Sequence, residues 1–425
     1  MSLKSNGLKL RTFDSLRNAS FRWLWLASWF LSLGGSMGMM AVPWLVLELT
    51  DSPSQVALTG ICQTIPMFLL GFFAGGLADR FSKKWLLFGT NALASLSALG
   101  MALVIAVGTV QPWQAFLYMF ISGVTMAMNM PARQSYISEL FEAAHLSRAI
   151  SLDSVVMTGT WMLGPLLGGL LIDLTGYRGV FAATVALSSL GTGLLIFLER
   201  DTERSAISQD ESKTAVGLLE AARQIWASQT FRAVLIGTVV VTLFGYSYRN
   251  LVPVFARDVL GVDPTLYGLM GSATGLGSLI GSLIIASVRA RRHSALFTTG
   301  TALLLVSLLL FSFSSLYPLS LFLLFAVGIG SSVLFAMQYT IALQSVTPDL
   351  RGRAAGSLSL AIGFAPLGMY LLGYLTETIG PQSALALMTA TGLILMGLLA
   401  WRFPELIGRP THRRATNGGI RSSNQ

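Results

Sequence analysis

Gly75-Gly76-Leu77-Ala78-Asp79-Arg80-Phe81-Ser82-Lys83-Lys84 is a charged interruption between two long apolar runs, 54–77 before it and 85–108 after it. A bilayer's hydrocarbon core of roughly 30 Å demands about 20 apolar residues of a crossing helix. One acid and three bases between two such runs therefore read as a turn at a membrane surface. Its carboxylate suits the positive end of a helix dipole, and its cations suit helix C-termini and the aqueous face. The same alternation repeats outward along the chain. Breaks at Gly, Pro and charge predict helices at 22–48, 54–77, 85–108, 112–131, 150–173, 179–198, 234–256, 265–288, 295–315, 317–341, 355–376 and 382–401.

Composition agrees. Of 425 residues, 53% are hydrophobic and 11% charged, and the mean hydropathy is +0.67. Soluble domains carry about 25% charge, so a water-soluble enzyme is excluded and an all-α protein of the lipid bilayer is expected. The one cysteine, Cys62, has no partner in the chain, which excludes an internal disulfide. His145, His293 and His412 fall in loops or the tail without a nucleophile beside them. No zinc set, Walker loop, cofactor or catalytic residue is expected.

The net charge of +9 is scattered through short loops, which argues against nucleic acid and for topology. With the N-terminus in the cytoplasm, all of the 28 basic residues except Arg178, Arg249 and Arg257 fall in inner segments. Both termini are therefore expected to be cytoplasmic. The stretch from Phe21 to Leu49 lacks a small-residue cleavage pattern and reads as a first membrane helix. The polar segment 199–230 is expected to be a cytoplasmic linker between an N-terminal six-helix bundle, 1–198, and a C-terminal one, 231–403. Val216 to Ile225 suits either a short surface helix or solvated linker, and 404–425 is expected to be a disordered tail.

The two bundles repeat. Phe21-Arg22 and Phe231-Arg232 open them at an offset of 210, while Gly76 and Gly281, and Arg148 and Arg353, share an offset of 205. Parallel repeats of this kind build a site at the interface between two bundles.

On these features, segment 75–84 resembles the signature loop of the major facilitator superfamily, with Ser82 where the family usually has glycine. LRNASFRWLWL at 16–26, PARQS at 131–135, GPLLGG at 164–169, PVFARDVLG at 253–261 and TPDLRGR at 347–353 are similar to the branch containing the enterobactin exporter and related bacterial drug exporters. The resemblance implies a monomeric secondary transporter of the bacterial inner membrane, working by alternating access. It would move a small amphipathic, drug-like or siderophore-like compound outward, with the proton as coupling ion. An importer of a small metabolite is the alternative in the same fold, and a lipid-handling protein or membrane enzyme the more distant one. The resemblance makes Gly75, Gly76, Asp79, Arg80, Lys83 and Lys84 a cytoplasmic latch between the halves. Ile284 stands where the second half would repeat Asp79, leaving only Arg289, Arg291 and Arg292, so the latch is expected to be one-sided. Gly164, Pro165, Gly168 and Gly169 resemble the family's exporter signature, with Thr160 in place of a further glycine. They also predict a bent, tightly packed helix on physical grounds alone.

A charge at mid-helix costs roughly 2.5–3.5 kcal/mol on insertion scales, so a retained one marks a candidate site. Arg249, in Tyr246-Ser247-Tyr248-Arg249-Asn250, is expected to face a cavity or a buried partner. Asp153 is the candidate coupling carboxylate, or else a hydrated residue pairing with Arg148, and Glu48 and Asp173 follow it. Tyr246, Asn250, Asn129 and Gln338 are further substrate or coupling candidates. Met119 stands where many superfamily exporters carry a membrane-embedded arginine, and helix one has no carboxylate before Glu48. Met126, Met128, Trp44, Trp161, Phe244 and Tyr339 suit either an adaptable lining or helix packing. Gln63 and Asn91 are expected to face the interior.

Overall fold

The computed structural model describes residues 15–80, 82–199, 226, 228–287, 293–347 and 350–407, with only the backbone of 71–80, 143 and 144. Among these residues five helices form the first half: α1 (Ala19–Thr50), α2 (Pro53–Arg80), α3 (Lys83–Val107), α4 (Pro112–Leu140) and α5 (Ala143–Leu194). Seven form the second: α6 (Gln229–Phe244), α7 (Pro264–Ser287), α8 (His293–Ser312), α9 (Tyr317–Gln344), α10 (Arg351–Ile362), α11 (Ala365–Ile379) and α12 (Pro381–Arg402). Among the described residues, 10 helical stretches are long and apolar enough to cross a membrane.

The starts follow local chemistry. Asn18 Oδ1 accepts from the Phe21 amide at 3.0 Å and caps α1. Pro53, Pro112, Pro264 and Pro381 open α2, α4, α7 and α12, at a position where no intrahelical donor is lost. Successive helices run in opposite directions, so the molecule has an end holding Ser82, between α2 and α3, and an end holding Thr50, between α1 and α2.

At 52 residues, α5 would be ~78 Å long if straight, more than twice a bilayer core. It is not straight. Gly176 has φ 69° and ψ −172°, a region open almost only to glycine. Both limbs pack on the first part of α1: Trp25 Nε1 donates to Leu152 O at 3.1 Å, and Gly191 lies against Ala27 and Leu31. The chain therefore reverses at Gly176, and the expected loop between 173 and 179 is a break of one residue. Gly176→Val should cost about 1–3 kcal/mol, seen as a lower thermal unfolding midpoint in detergent. Gly100→Ala, at a position with open space around it, should not lower it.

Four further expectations need correction. Helix four was expected to stop at Pro131, but α4 continues through it to Leu140. The single helix expected at 234–256 ends at Phe244, followed by a 3₁₀ turn (Tyr246–Asn250), one α turn (Val252–Val254) and a π turn (Phe255–Val259). The tail does not begin at 404, because Pro404–Ile407 forms a 3₁₀ turn. There Leu406 is buried, its carbonyl accepts from Thr298 Oγ1 at 2.8 Å, and Glu405 accepts from Thr230 Oγ1 at 2.6 Å. The helix expected at 355–376 is also interrupted, α10 giving way to α11 where Gly363 packs against Phe68 of α2. The surface helix weighed for 216–225, Arg289, Arg291, Arg292 and the tail beyond 407 lie outside the described residues.

A candidate substrate cavity and the ties between the halves

A cavity of about 180 Å³ opens within the first half between α1, α3, α4 and α5. Ser28, Ser36, Asn91, Asn129, Met126 and Trp161 line it, together with Arg133 and Asp153. Arg133 Nη2 donates to Asp153 Oδ1. The two side chains are 9% and 15% exposed, so each charge is answered by the other instead of by water. Nη1 faces Met157 Sδ at 4.0 Å, and Nε is buried without a partner. From the sequence alone, Arg148 is the partner expected for Asp153, and Arg133 falls in a loop after Pro131. Because α4 runs through Pro131, Arg133 is instead carried inside and aimed at the start of α5.

Arg249 is positioned by the break after α6. A Cβ at Gly245 would meet the Val241 carbonyl at 2.8 Å, and the 3₁₀ turn that follows directs Arg249 toward the first half. Its guanidinium lies over the Trp161 ring, 4.7 Å from the centroid, and among the described residues it makes no salt bridge. Tyr246 packs against Phe335, ring centroids 5.0 Å apart. The Asn250 carboxamide sits on Gly60 of α2, where no Cβ would fit. Gln338, 1% exposed, accepts from Thr238 Oγ1 at 3.2 Å within the second half.

Asn91 Nδ2 donates to Leu87 O at 2.7 Å. Trp44 and Met119 are buried in the core, and Trp44 stacks on Tyr267 with centroids 5.1 Å apart. Both are packing residues, whereas Met126, Asn129 and Trp161 line the cavity.

The glycines of α5 face two neighbours. Gly164 and Gly168 lie against Ser36 and Met37 of α1, and Gly169 against the Pro264 carbonyl of α7. Ser36 Oγ donates to Thr160 O at 3.1 Å and Ser272 Oγ to Met162 O at 2.5 Å, adding hydrogen bonds around the turn that Pro165 interrupts. Of the signature loop, Lys83 pairs with Glu139 of α4, and Lys84 Nζ donates to Ile196 O at 2.8 Å, both within the first half. Gly75 and Gly76 fall inside α2; the side chains of Asp79 and Arg80 lie outside the described residues.

Among the described residues, hydrogen bonds between the halves gather at the Thr50 end, with Ser272 to Met162 at middle depth. Asp173 Oδ2, on α5, accepts from the Thr265 amide at 2.9 Å and from its hydroxyl, at the start of α7. Glu377 Oε1, on α11, accepts from the Ser54 amide at 3.2 Å and from the Ser52 hydroxyl, at the start of α2. Each half thus sends one carboxylate to the N-terminus of a helix in the other, where free amides and the helix dipole favour negative charge. Sequence reasoning ranked Asp173 low and passed over Glu377. The repeat held the missing signal, since the two acids are 377 − 173 = 204 residues apart, next to the 205 offset of the glycine landmarks. Arg257 Nη1 adds bonds to Leu47 O at 3.0 Å and Asp51 Oδ1 at 2.8 Å. Asp258 beside it, then Asp51, push the guanidinium's pKa up.

A two-half fold of membrane-length helices, with a cavity in its first half that holds a buried Arg–Asp pair, is the architecture of a transporter. The chain belongs to the transmembrane secretion effector family of the major facilitator superfamily, whose model matches residues 10–409. Relatives include the uncharacterized MFS-type transporter YfiS of Bacillus subtilis (strain 168), 28% identical over 380 residues, covering 87% of this chain and 89% of YfiS. The multidrug efflux pump Tap of Mycolicibacterium fortuitum is 26% identical over 391 residues, covering 88% and 93%. Among solved structures, a bacterial homologue of the human lysosomal transporter Spinster, inward-facing and unoccupied, aligns with TM-score 0.67 at 16% identity, covering 92% of this chain and 97% of that one.

Proposed function

We propose that this protein is a monomeric secondary active exporter of a small amphipathic compound, working by alternating access across the inner membrane of a bacterium. In this reading the chain makes twelve passages, the two limbs of α5 taken separately and α10 with α11 as one, and both termini are cytoplasmic. The observation that carries the reading is the asymmetry between the ends among the described residues. The carboxylate caps tie the halves together at the Thr50 end, while the cavity holding Arg133 and Asp153 lies toward the other. That arrangement suits a carrier loading from the cytoplasm. Positive-inside topology supports the orientation, and likeness to a multidrug efflux pump supports outward transport.

Asp153 is assigned the coupling proton, held in the cavity wall by Arg133, with Asn129, Tyr246, Asn250 and Gln338 as further substrate or coupling residues. Segment 75–84, the end of α2 with Asp79 and Arg80 and its turn into α3, is assigned the cytoplasmic latch that closes when the Thr50 end opens. Expressing cells loaded with a panel of anionic and cationic fluorescent dyes should retain less of at least one dye than control cells. A protonophore should abolish the difference. Equal retention across the panel refutes export, and greater retention would indicate import.

A further inference from the structure

We propose that Arg249, Asn250 and Gln63 form a subsite between the halves that reads an anionic oxygen on the transported compound, whose aromatic or apolar body lies against Trp161. The proposal rests on the transporter reading and adds the sign of the substrate's charge.

Charge counting comes first. Arg133 is answered by Asp153, and Arg257 by Asp258 and Asp51. Arg249 makes no salt bridge among the described residues and rests on the π face of Trp161. A cation at membrane depth costs too much to be retained without use, and a guanidinium's planar fork of donors fits carboxylate, sulfonate or phosphate oxygens.

The neighbouring groups lean the same way. Asn250 Nδ2 and Gln63 Nε2 are buried with no hydrogen-bond partner. Asn250 follows Arg249 in the chain and reaches across the interface to Gly60, and Gln63 is three residues beyond Gly60 on the same face of α2. Buried donors left without an acceptor are costly. An anionic oxygen would satisfy them, whereas a cation would leave them unmet and face Arg249. The backbone is irregular from Gly245 to Val259, and irregular backbone at membrane depth is tolerated where it is buried in protein or lines a cavity. An inside-negative potential also favours outward movement of an anion.

The test uses two permanently charged probes of similar size, naphthalene-2-sulfonate and N-methylquinolinium. Their binding to the full chain in nanodiscs of zwitterionic phosphatidylcholine is measured by calorimetry. The sulfonate should bind roughly tenfold or more tighter than the quinolinium, and its affinity should fall as salt rises. Arg249→Gln should erase the preference, Arg249→Lys should keep its sign with weaker binding, and Asn250→Ala should weaken the sulfonate alone. A wild-type unfolding midpoint for Arg249→Lys guards against misfolding. Preference for the quinolinium, equal binding, or no sulfonate binding overturns the proposal. Quinolinium binding that is lost in Trp161→Ala would do so while leaving the transporter reading intact.

Discussion

Arg133→Met is expected to destabilise the protein by about 3–5 kcal/mol, the cost of stranding one member of a buried ion pair. Asp153 is 15% exposed, so without Arg133 its carboxylate has little water to turn to. Methionine keeps much of the side-chain volume, which isolates the effect of charge. In Arg133→Met/Asp153→Asn no buried charge is left unpaired, and most of the stability should return. Transport should not return, because the group assigned the proton is gone. Unfolding midpoints in detergent and efflux at matched protein levels check the two halves of this expectation. If the single and double variants were equally stable, the contact would be a solvated surface pair.

The second large effect concerns the seam between α5 and α7. A Cβ at Gly169 would run into the Pro264 carbonyl, and one at Gly268 into the Pro165 carbonyl. Backbone atoms cannot swing aside as a flexible side chain can, so either substitution must push the helices apart. Gly169→Leu and Gly268→Leu should each reduce transport to background by preventing the Thr50 end from closing. Overpacking costs typically 1–3 kcal/mol, a smaller loss than a failed core, and both proteins should still reach the membrane. Gly100→Leu, at an open position, should transport normally. Normal transport by Gly169→Leu would show that close approach of these helices is not needed in the cycle.

Much of this fold was legible because a membrane helix is written locally, in apolar run length and in the charges that bound it. The break between α2 and α3, the short gap after Thr50 and the proline starts of α4 and α12 were visible that way, although α2 runs on to Arg80 through most of segment 75–84. The site was harder to see because its contacts are not local. Pro131 reads as a helix stop, and only packing carries α4 past it, so Arg133 looked like a loop residue and its pairing with Asp153 was hidden. Asp173 and Thr265 are 92 residues apart, and Ser52 and Glu377 are 325 apart. No periodicity joins such pairs; only the repeat, carried through to its helix ends, relates one to the other. Arg249 stood out for the opposite reason, since a charge inside an apolar run is conspicuous even when its surroundings are unknown.

The most direct test of alternating access is the side from which the cavity can be reached. In a Cys62→Ala background, Asn129→Cys places one thiol in the cavity wall, and a membrane-impermeant maleimide is applied to right-side-out and to inverted vesicles. The expected result is fast labelling from the face bearing both termini and slow labelling from the other. Asp173→Asn with Glu377→Gln should loosen the Thr50 end and raise labelling from that second face. Equal labelling from both faces before the caps are removed, or labelling from the Thr50 face alone, would contradict a carrier held shut at that end by its two carboxylates.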